Sequence, residues 1–336
     1  MRKKGIFLVG FFVGCMLCSG VHAQDNEKLA QTGFQFLSVV SDAQAASMAE
    51  AMTSLQIGSR ALFFNPAGMA VMSGMFDVSV STNQWIADIS HNTFSAAINP
   101  ANGRYGVFGV SVQSVDYGEF YLTRVNKGNL SGYDDIGTIT LNAIAIGGGY
   151  AKQLTDRFSV GGQIRWAKQN LGESVVPVVT ASDTSKKTVN SELTPMVFDF
   201  GTQFRTGFQS LVFGMSVRNF SKEIKYVEEG FQVPLVFNLG ISMNLLDLFE
   251  SISAAHCLIM SLDASHFRDH PEQVKIGLDY SLMNTLSLRG GYMSSNDENG
   301  LTFGMGVARS GVSLDYAYTP FGVFDKVQRL TARFAL

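Results

Sequence analysis

Histidine and carboxylate side chains give this chain its first candidates for chemistry, and they gather at one place. His266 and His270 stand four positions apart around Asp269, a spacing that on a helix would turn two imidazoles toward one metal ion. Pro271 and the strand-like flanks favour a solvated connector instead. The sequence holds no HExxH, EF-hand, P-loop or GxSxG motif. We therefore predict no catalytic residue, no metal and no cofactor, and a protein that is not an enzyme.

Further carboxylates leave one alternative open. Asp297, Glu298 and Asn299, together with Asp263 and Asp269, would attract Ca²⁺ if they met at one rim of the fold. Solvated connector charges are the simpler interpretation of the same residues.

The first 23 residues have the pattern of an export signal. Three basic residues precede an apolar stretch that ends in small residues at Ala23, the order found in secretory signal peptides. We predict cleavage after Ala23. Because Cys15 and Cys18 fall inside this segment, the mature chain would keep only Cys257, which cannot form an internal disulfide.

The composition indicates a membrane protein built of strands. Charged residues are 16% of the 336 residues, against about 25% in a typical soluble protein, and the chain carries 34 Gly and 26 Phe. After the signal, no apolar run reaches the roughly 20 residues of a membrane-spanning helix. The aromatic content excludes disorder, and a net charge of −3 offers no basic surface to nucleic acid.

Alternation of apolar and polar residues predicts strands along nearly all of the chain after residue 74. In 157–171, an apolar face with Ile164 and Trp166 opposes a polar face on which we place Arg165 and Lys168. Most of the predicted strands have the length of a tilted membrane strand, about 9 to 11 residues or more, whereas soluble strands average about 5 or 6. The fourteen strands are predicted at 75–83, 85–99, 104–117, 136–152, 157–171, 194–207, 210–220, 232–246, 257–265, 273–282, 285–294, 300–309, 311–319 and 327–336. The predicted fold is all-β, a fourteen-stranded antiparallel transmembrane β-barrel, apolar outside and polar inside.

Connector lengths alternate along these strands. Short connectors fall at 100–103, 153–156, 207–209, 283–284 and 310, and longer ones at 118–135, 172–193, 221–231, 266–272, 295–299 and 320–326. Outer-membrane barrels have short periplasmic turns and long external loops. Because the strand count is even, the start of the first strand and the end of the last strand are both predicted in the periplasm. The connector 247–256 is a long exception, where we predict a short helix at 248–250. The chain then divides into a signal (1–23), a plug segment folded into the lumen (24–74) and the barrel (75–336).

Two sequence blocks resemble the PorV/PorQ family. The first is Ala-Gln-Ala-Ala-Ser-Met-Ala-Glu-Ala over 43–51, and the second is Phe-Phe-Asn-Pro-Ala-Gly-Met over 63–69. Segments 84–89, 114–119 and 314–322 also fit. The chain departs from the family at Gln44 (usually Arg), at Ala49 (usually Gly), and in carrying two residues after the Arg-Phe at which the family commonly ends. That family belongs with the FadL-like, fourteen-stranded outer-membrane barrels.

The resemblance implies two functions. PorV-like members of the type IX secretion system bind the C-terminal signal of secreted cargo and help to pass it to the cell surface. FadL-like members let hydrophobic small molecules cross the outer membrane, with an N-terminal plug and a lateral opening in the wall. We predict the secretion function first, the uptake of hydrophobic small molecules as the alternative, and a structural or adhesive barrel as a third class. The predicted partners are outer-membrane lipid and either type IX components with cargo C-terminal domains or a hydrophobic small molecule, and not nucleic acid.

A four-residue turn is predicted to hold the plug in either case. Pro66 restricts Asn65 to extended geometry, and Asn65 would pair backbone groups that lack water inside the barrel. Ala67 and Gly68 complete the turn, with Gly68 supplying a position that favours positive φ.

Two further sets of residues are predicted from position and chemistry. Apolar side chains of the plug either line a lumenal pocket or only pack the plug against the wall: Phe34, Phe36, Met48, Met52, Phe63, Phe64 and Met69. In the last strand, Leu330, Ala332 and Phe334 would form the assembly signal, with the two residues after Phe334 dispensable.

Overall fold

The computed structural model of the protein describes residues 32–180, 183–225, 230–249, 255–294, 300–322 and 326–336. The predicted signal peptide, 1–23, and the acidic run Asp297-Glu298-Asn299 lie outside the described residues. No helix in these ranges is both long and apolar enough to cross a membrane.

Strands account for most of the described chain. They are β1 Phe76–Gln84, β2 Ser90–Ile98, β3 Val107–Val125, β4 Tyr133–Thr155, β5 Phe158–Thr180, β6 Asp183–Leu193, β7 Met196–Arg205, β8 Val212–Phe220, β9 Ile224–Lys225, β10 Gly230–Phe231, β11 Val236–Asn244, β12 His256–Phe267, β13 Gln273–Leu282, β14 Leu286–Met293, β15 Leu301–Arg309, β16 Val312–Pro320 and β17 Lys326–Ala335. The helices are short: α1 Ala43–Ser47, and 3₁₀ turns at Gln35–Ser38, Gly58–Phe63, Pro66–Met69, Ile86–Asp88, Pro100–Gly103 and Leu245–Leu248.

The sheet closes on itself as an antiparallel barrel. β1 pairs with β17, and β4 pairs with β5, so the sheet order returns to its starting point. β6 and β7 both pair with β5 and are one strand interrupted at Pro195, whose missing N–H cannot continue the ladder. The described residues therefore form fourteen strand positions in the wall, and the predicted fourteen-stranded antiparallel barrel is confirmed.

The wall is apolar outside and polar inside. In β1, the side chains of Asp77, Ser79, Ser81 and Asn83 are buried toward the lumen, whereas Val80 is exposed on the outer face. This alternation is the one predicted from the sequence. Lys168 departs from the prediction, since it follows Ile164 and Trp166 onto the outer face, where its Nζ lies 2.8 Å from Glu192.

Tight turns join strands at one end of the barrel, which we call the short-turn end. Met283 and Asn284 both have positive φ, as do Ser310 and Gly311. Two consecutive positive φ values define the hairpin turn whose twist matches that of the flanking strands.

The opposite end, called here the long-hairpin end, differs from the prediction. The segments 118–135 and 172–193 were predicted as loops, yet both are mainly strand, because β3 pairs with β4 as far as Val125 and β5 pairs with β6 as far as Thr180. A bulge after Asp116 separates the first hairpin from the wall. In the connector after β11, the 3₁₀ turn lies at Leu245–Leu248, ahead of the predicted 248–250.

Residues 32–74 run through the lumen from one end to the other. The segment begins at the long-hairpin end, where Thr32 bridges to Gln232, and ends at the short-turn end, where Asn99 donates to the carbonyl oxygen of Met72 over 2.7 Å. Between these points its backbone bonds to inward-facing side chains of many strands, including Gln113, Thr331 and Asp263. Buried polar backbone groups need such partners, which explains the polar inner wall.

Candidate functional site

Asn65 and Pro66 begin a 3₁₀ turn that contacts both the lumenal segment and the wall. Asn65 is extended (φ −143°, ψ 102°), as the following proline requires, and its Oδ1 accepts from the N–H of Ala67. Its Nδ2 donates to the carbonyl oxygens of Thr53 (2.7 Å) and Thr202 (3.0 Å). One buried side chain therefore satisfies three backbone groups, two within the segment and one in β7.

Gly68 is needed for space and not for positive φ, which corrects the expectation from the sequence. It lies inside the 3₁₀ turn, and its φ is not positive. A Cβ at this position would stand 2.8 Å from the carbonyl oxygen of Leu55 and 3.2 Å from the Cβ of Ala61. The close approach of two backbone segments is therefore what requires glycine.

The apolar residues predicted in the lumenal segment divide between two clusters. Met48, Met52, Phe64 and Met69 are buried in one cluster, with Phe63 packed against it. Phe34 and Phe36 belong to a second cluster near the long-hairpin end. The structure therefore does not bring the seven residues into a single pocket.

The second cluster is an apolar patch on the inner wall. Its wall residues are inward-facing positions of adjacent strands that elsewhere carry polar side chains: Val115, Ala143, Ala145, Ala167 and Val197. The sequence analysis did not predict these residues. Apolar side chains at the inward-facing, normally polar positions of a barrel strand can nevertheless be recognised from the alternation in its sequence.

The lumenal segment itself fills this patch, which we call the apolar mouth patch. Phe34, Phe36 and Leu37 are each at most 2% exposed against it, and the two rings lie 6.0 Å apart. Phe34 has φ 59° and ψ 34°, the left-handed region that a bulky side chain rarely adopts. The patch thus accommodates aromatic and aliphatic groups, and one of its present occupants is held in an unfavourable backbone conformation.

The hairpin above the patch continues its apolar character. One face of the β3–β4 hairpin continues the inner face of the wall, and it carries Phe120, Leu122 and Ile139. Tyr121 and Val125 lie on the opposite, outward face. An apolar surface therefore extends from outside the wall to the apolar mouth patch.

Asp269 ties the start of the lumenal segment to the connector after β12. Its Oδ2 accepts from the Thr32 hydroxyl (2.6 Å) and from Gln35 (2.8 Å), and His270 lies 2.8 Å from Oδ1. Burial raises the pKa of the Asp269 carboxyl, but the hydrogen bonds from His270, Thr32 and Gln35 outweigh burial and hold it well below its ordinary value. His266 pairs separately with Glu272 over 3.1 Å. Within the described ranges, no group of three His, Cys, Asp or Glu side chains is placed to hold a metal ion.

A buried charge network joins the lumenal segment to the last strands. Arg289 contacts Asp279 (2.8 Å) and Asp315 (2.6 Å), and Arg60 of the segment contacts Asp42 over 3.1 Å. Arg60 also lies 4.0 Å from Asp315. Each charge of this network has an opposite partner, as burial in a low-dielectric interior demands.

The last strand places its predicted assembly residues on the outer face. Leu330, Ala332 and Phe334 all point outward, and Phe334 sits opposite Val78 and Val312. The two residues after Phe334 are part of the wall. Ala335 donates to the Gly311 carbonyl oxygen, and Leu336 exchanges two backbone hydrogen bonds with Phe76. The expectation that they are dispensable does not fit these contacts.

A closed wall of fourteen antiparallel strands is the fold that this chain shares with FadL-like barrels. The chain is similar to the toluene transporter TbuX of Ralstonia pickettii at a TM-score of 0.55 and 12% identity, covering 87% of this chain and 96% of that one. It is similar to the Pseudomonas putida toluene transporter TodX (TM-score 0.55, 13% identity, 87% and 95% covered) and to a Pseudomonas aeruginosa FadL homologue (TM-score 0.53, 12% identity, 88% and 98% covered). No protein-family model matches the chain, and no curated protein matches it in sequence. The closer resemblance to PorV/PorQ stays a prediction.

Proposed function

We propose that this protein is an outer-membrane channel for hydrophobic small molecules. The observation that carries the proposal is the apolar mouth patch, because it gives hydrophobic groups a binding surface inside an otherwise polar barrel, which the rings of Phe34 and Phe36 now occupy. The fold shared with toluene transporters supports the same class of substrate. Neither the proposed function nor the proposed location requires a cofactor.

The outer face fits the proposed location. Large apolar side chains such as Phe94, Ile146, Leu288 and Phe303 are exposed around the wall, where water would not favour them. A closed sheet leaves no unpaired backbone edge for lipid to meet. The band therefore suits the hydrocarbon core of a bilayer.

Entry follows the apolar surface. A hydrophobic molecule would contact the inner side of the β3–β4 hairpin at Phe120 and Leu122 and then the apolar mouth patch. There it would take the place of Phe34 and Phe36, whose rings show that the patch accepts aromatic groups. The strained backbone of Phe34 lowers the cost of that exchange.

Val115→Thr tests this proposal with little change of shape. The substitution adds a hydroxyl to the apolar mouth patch, and we expect roughly five-fold slower uptake of labelled toluene by whole cells, because an unpaired buried hydroxyl is disfavoured by about 1 kcal/mol or more. Val110→Thr is the matched control, since Val110 lies on the same strand but faces outward. Equal uptake in both variants, at equal amounts of heat-modifiable barrel, would contradict the proposal.

Secretion is the second candidate, favoured by one observation. The outward side of the β3–β4 hairpin exposes Tyr121, Val125 and Tyr133 beyond the wall, a surface that suits a protein partner. Changing Tyr121 and Val125 together to Ser should disturb the release of surface proteins if the barrel serves secretion. Under the uptake proposal, the same double variant leaves protein release unchanged.

A further inference from the structure

A cavity lies at the short-turn end, at the opposite end of the barrel from the apolar mouth patch. Its volume is about 390 Å³, and it separates the lumenal segment from the inner wall of β7, β8, β11 and β12. Apolar side chains form much of its lining: Met48, Leu55, Ile57, Leu211, Val212 and Ile259. A space of this size accommodates a small organic molecule.

Two buried polar atoms in the lining have no partner. Ser54 is 1% exposed and Asp279 is 6% exposed, yet Ser54 Oγ and Asp279 Oδ1 find no hydrogen-bond partner among the described residues. The other carboxylate oxygen of Asp279 is fully used, since Oδ2 accepts from Arg289 (2.8 Å) and Gln44 (3.1 Å). Because buried polar groups are costly when unpaired, these two atoms indicate a polar group of a ligand or of water in the cavity.

The two free atoms offer complementary chemistry. A hydroxyl can donate as well as accept, whereas an ionised carboxylate oxygen only accepts. A ligand hydroxyl would donate to Asp279 Oδ1 or accept from Ser54 Oγ. The rest of such a ligand would contact Leu55, Ile57 and Ile259.

We propose that this cavity binds a small amphipathic molecule with one hydroxyl on an apolar body, of the size of an aromatic alcohol. The inference goes beyond the proposed uptake of hydrophobic molecules, because it names a separate site at the opposite end and a polar recognition step that a pure hydrocarbon cannot make. It does not rest on transport, since binding at this site is measured on the isolated barrel.

Cys257 supplies the readout. Its side chain lines the cavity, and it is the free cysteine of the described residues. In purified barrel reconstituted in lipid nanodiscs, we would measure the rate of Cys257 modification by N-ethylmaleimide, with Cys257→Ser as background. The probes are benzyl alcohol and toluene, which differ by the hydroxyl.

We expect saturating benzyl alcohol to slow modification several-fold and toluene at the same concentration to slow it much less. Ser54→Ala should raise the benzyl alcohol concentration for half-protection about five-fold, the effect of one net hydrogen bond. Ser41→Ala is the matched control, because Ser41 Oγ is also buried and unpartnered among the described residues but does not line the cavity.

Three outcomes would overturn the inference: no protection by benzyl alcohol, equal protection by both probes, or equal half-protection in the Ser54 and Ser41 variants. The first means that water alone satisfies the two atoms. A filling variant, Val212→Phe, should abolish protection while the barrel stays heat-modifiable. Toluene uptake by whole cells is read separately, so that a chain that protects Cys257 but takes up no toluene contradicts only the proposed uptake.

Discussion

Asn65 connects the lumenal segment to the wall more directly than any other residue of its turn. Replacing it with Ala would remove its hydrogen bonds to the carbonyl oxygens of Thr53 and Thr202 and to the N–H of Ala67, although Gln203 Nε2 still donates to the Thr53 carbonyl over 3.2 Å. We expect a loss of about 2–4 kcal/mol in stability, from a typical cost of about 1 kcal/mol for each hydrogen bond lost at a buried group. The measurement is the temperature at which the folded barrel loses its fast electrophoretic mobility.

The control for Asn65→Ala is Asn92→Ala, at an exposed position of β2 on the outer face. It should leave the transition unchanged. Equal transition temperatures for the two variants would show that the turn does not hold the segment in place.

Asp269 makes the attachment of the segment dependent on pH. Its folded-state pKa is lowered, so the stabilisation it provides is fully present above the ordinary pKa of about 4 and is lost only as pH falls through the lower folded-state value. We expect the hydrogen-exchange protection factors of residues 32–38, which correct for the intrinsic pH dependence of exchange, to stay constant from pH 8 down to about 4.

Asp269→Asn should speed this exchange at every pH in that range, because the amide keeps one acceptor oxygen in place of two. Asp156→Asn, at an exposed short turn, is the control. If the wild-type protection factors already fall between pH 7 and 5, the bonds from Thr32 and Gln35 do not hold the segment.

Single residues were predictable where their chemistry is local. The extended conformation of Asn65 follows from the proline after it, and a side chain with a donor and an acceptor is the natural partner for buried backbone groups. The space requirement at Gly68 was not predictable, because it depends on Leu55 and Ala61 from another part of the segment. The apolar side chains of the mouth patch could be read from the alternation of each strand, but their meeting at one place depends on the register between the strands, which the sequence does not show.

The last strand, β17, closes the barrel by pairing with β1, and changes in it should affect assembly. Phe334→Ala should lower the yield of folded barrel, because it removes a large apolar side chain from the outer face. Deleting Ala335 and Leu336 should lower it as well, since three backbone hydrogen bonds at the closure are lost. The measurement is the amount of heat-modifiable barrel in the membrane fraction.

The control for β17 is Phe303→Ala, at a Phe of similar exposure on β15, away from the chain end. If it lowers the yield as much as Phe334→Ala, then Phe334 has no particular role in assembly. Unchanged yield after deletion of the last two residues would show that the closure tolerates their loss.

The direction of the barrel is tested by two trypsin sites. Lys127 lies at the tip of the β3–β4 hairpin and Arg157 in the short turn before β5, and both are exposed. With the long-hairpin end outside the cell, trypsin added to intact cells should cut after Lys127 and spare Arg157. Cutting at Arg157 in intact cells would show that the short-turn end, and not the long-hairpin end, faces outside.

The strands could be predicted because a barrel strand carries its whole pattern in its own sequence: a long run, alternating faces and a turn at each end. The hairpin extensions of β3 and β5 were predicted as loops because each two-stranded hairpin lies beyond the wall, where neither face has to be uniformly apolar. Lys168 was assigned to the wrong face because a charged side chain can also stand on the outer face near the wall's rim, where Glu192 pairs with it.

The described chain forms a closed wall with an apolar outer face, and a continuous segment runs through its lumen. A filled apolar patch lies at one end of the barrel, and a cavity lies at the other. Under the proposed uptake, the apolar mouth patch is the side of entry. The short-turn cavity lies at the opposite end, beside Leu55, Gln56 and Ile57 of the segment. Apolar side chains predominate among the exposed residues of the described strands, which is consistent with the proposed place of the protein in the outer membrane.

The central claim is that the barrel passes hydrophobic small molecules, and the most direct measurement is labelled toluene uptake by cells with and without the protein. Expression should raise the rate of uptake in a saturable way, Val115→Thr should lower it, and the uptake of a sugar of similar size should stay the same. Equal toluene uptake with and without folded barrel in the outer membrane would contradict the account.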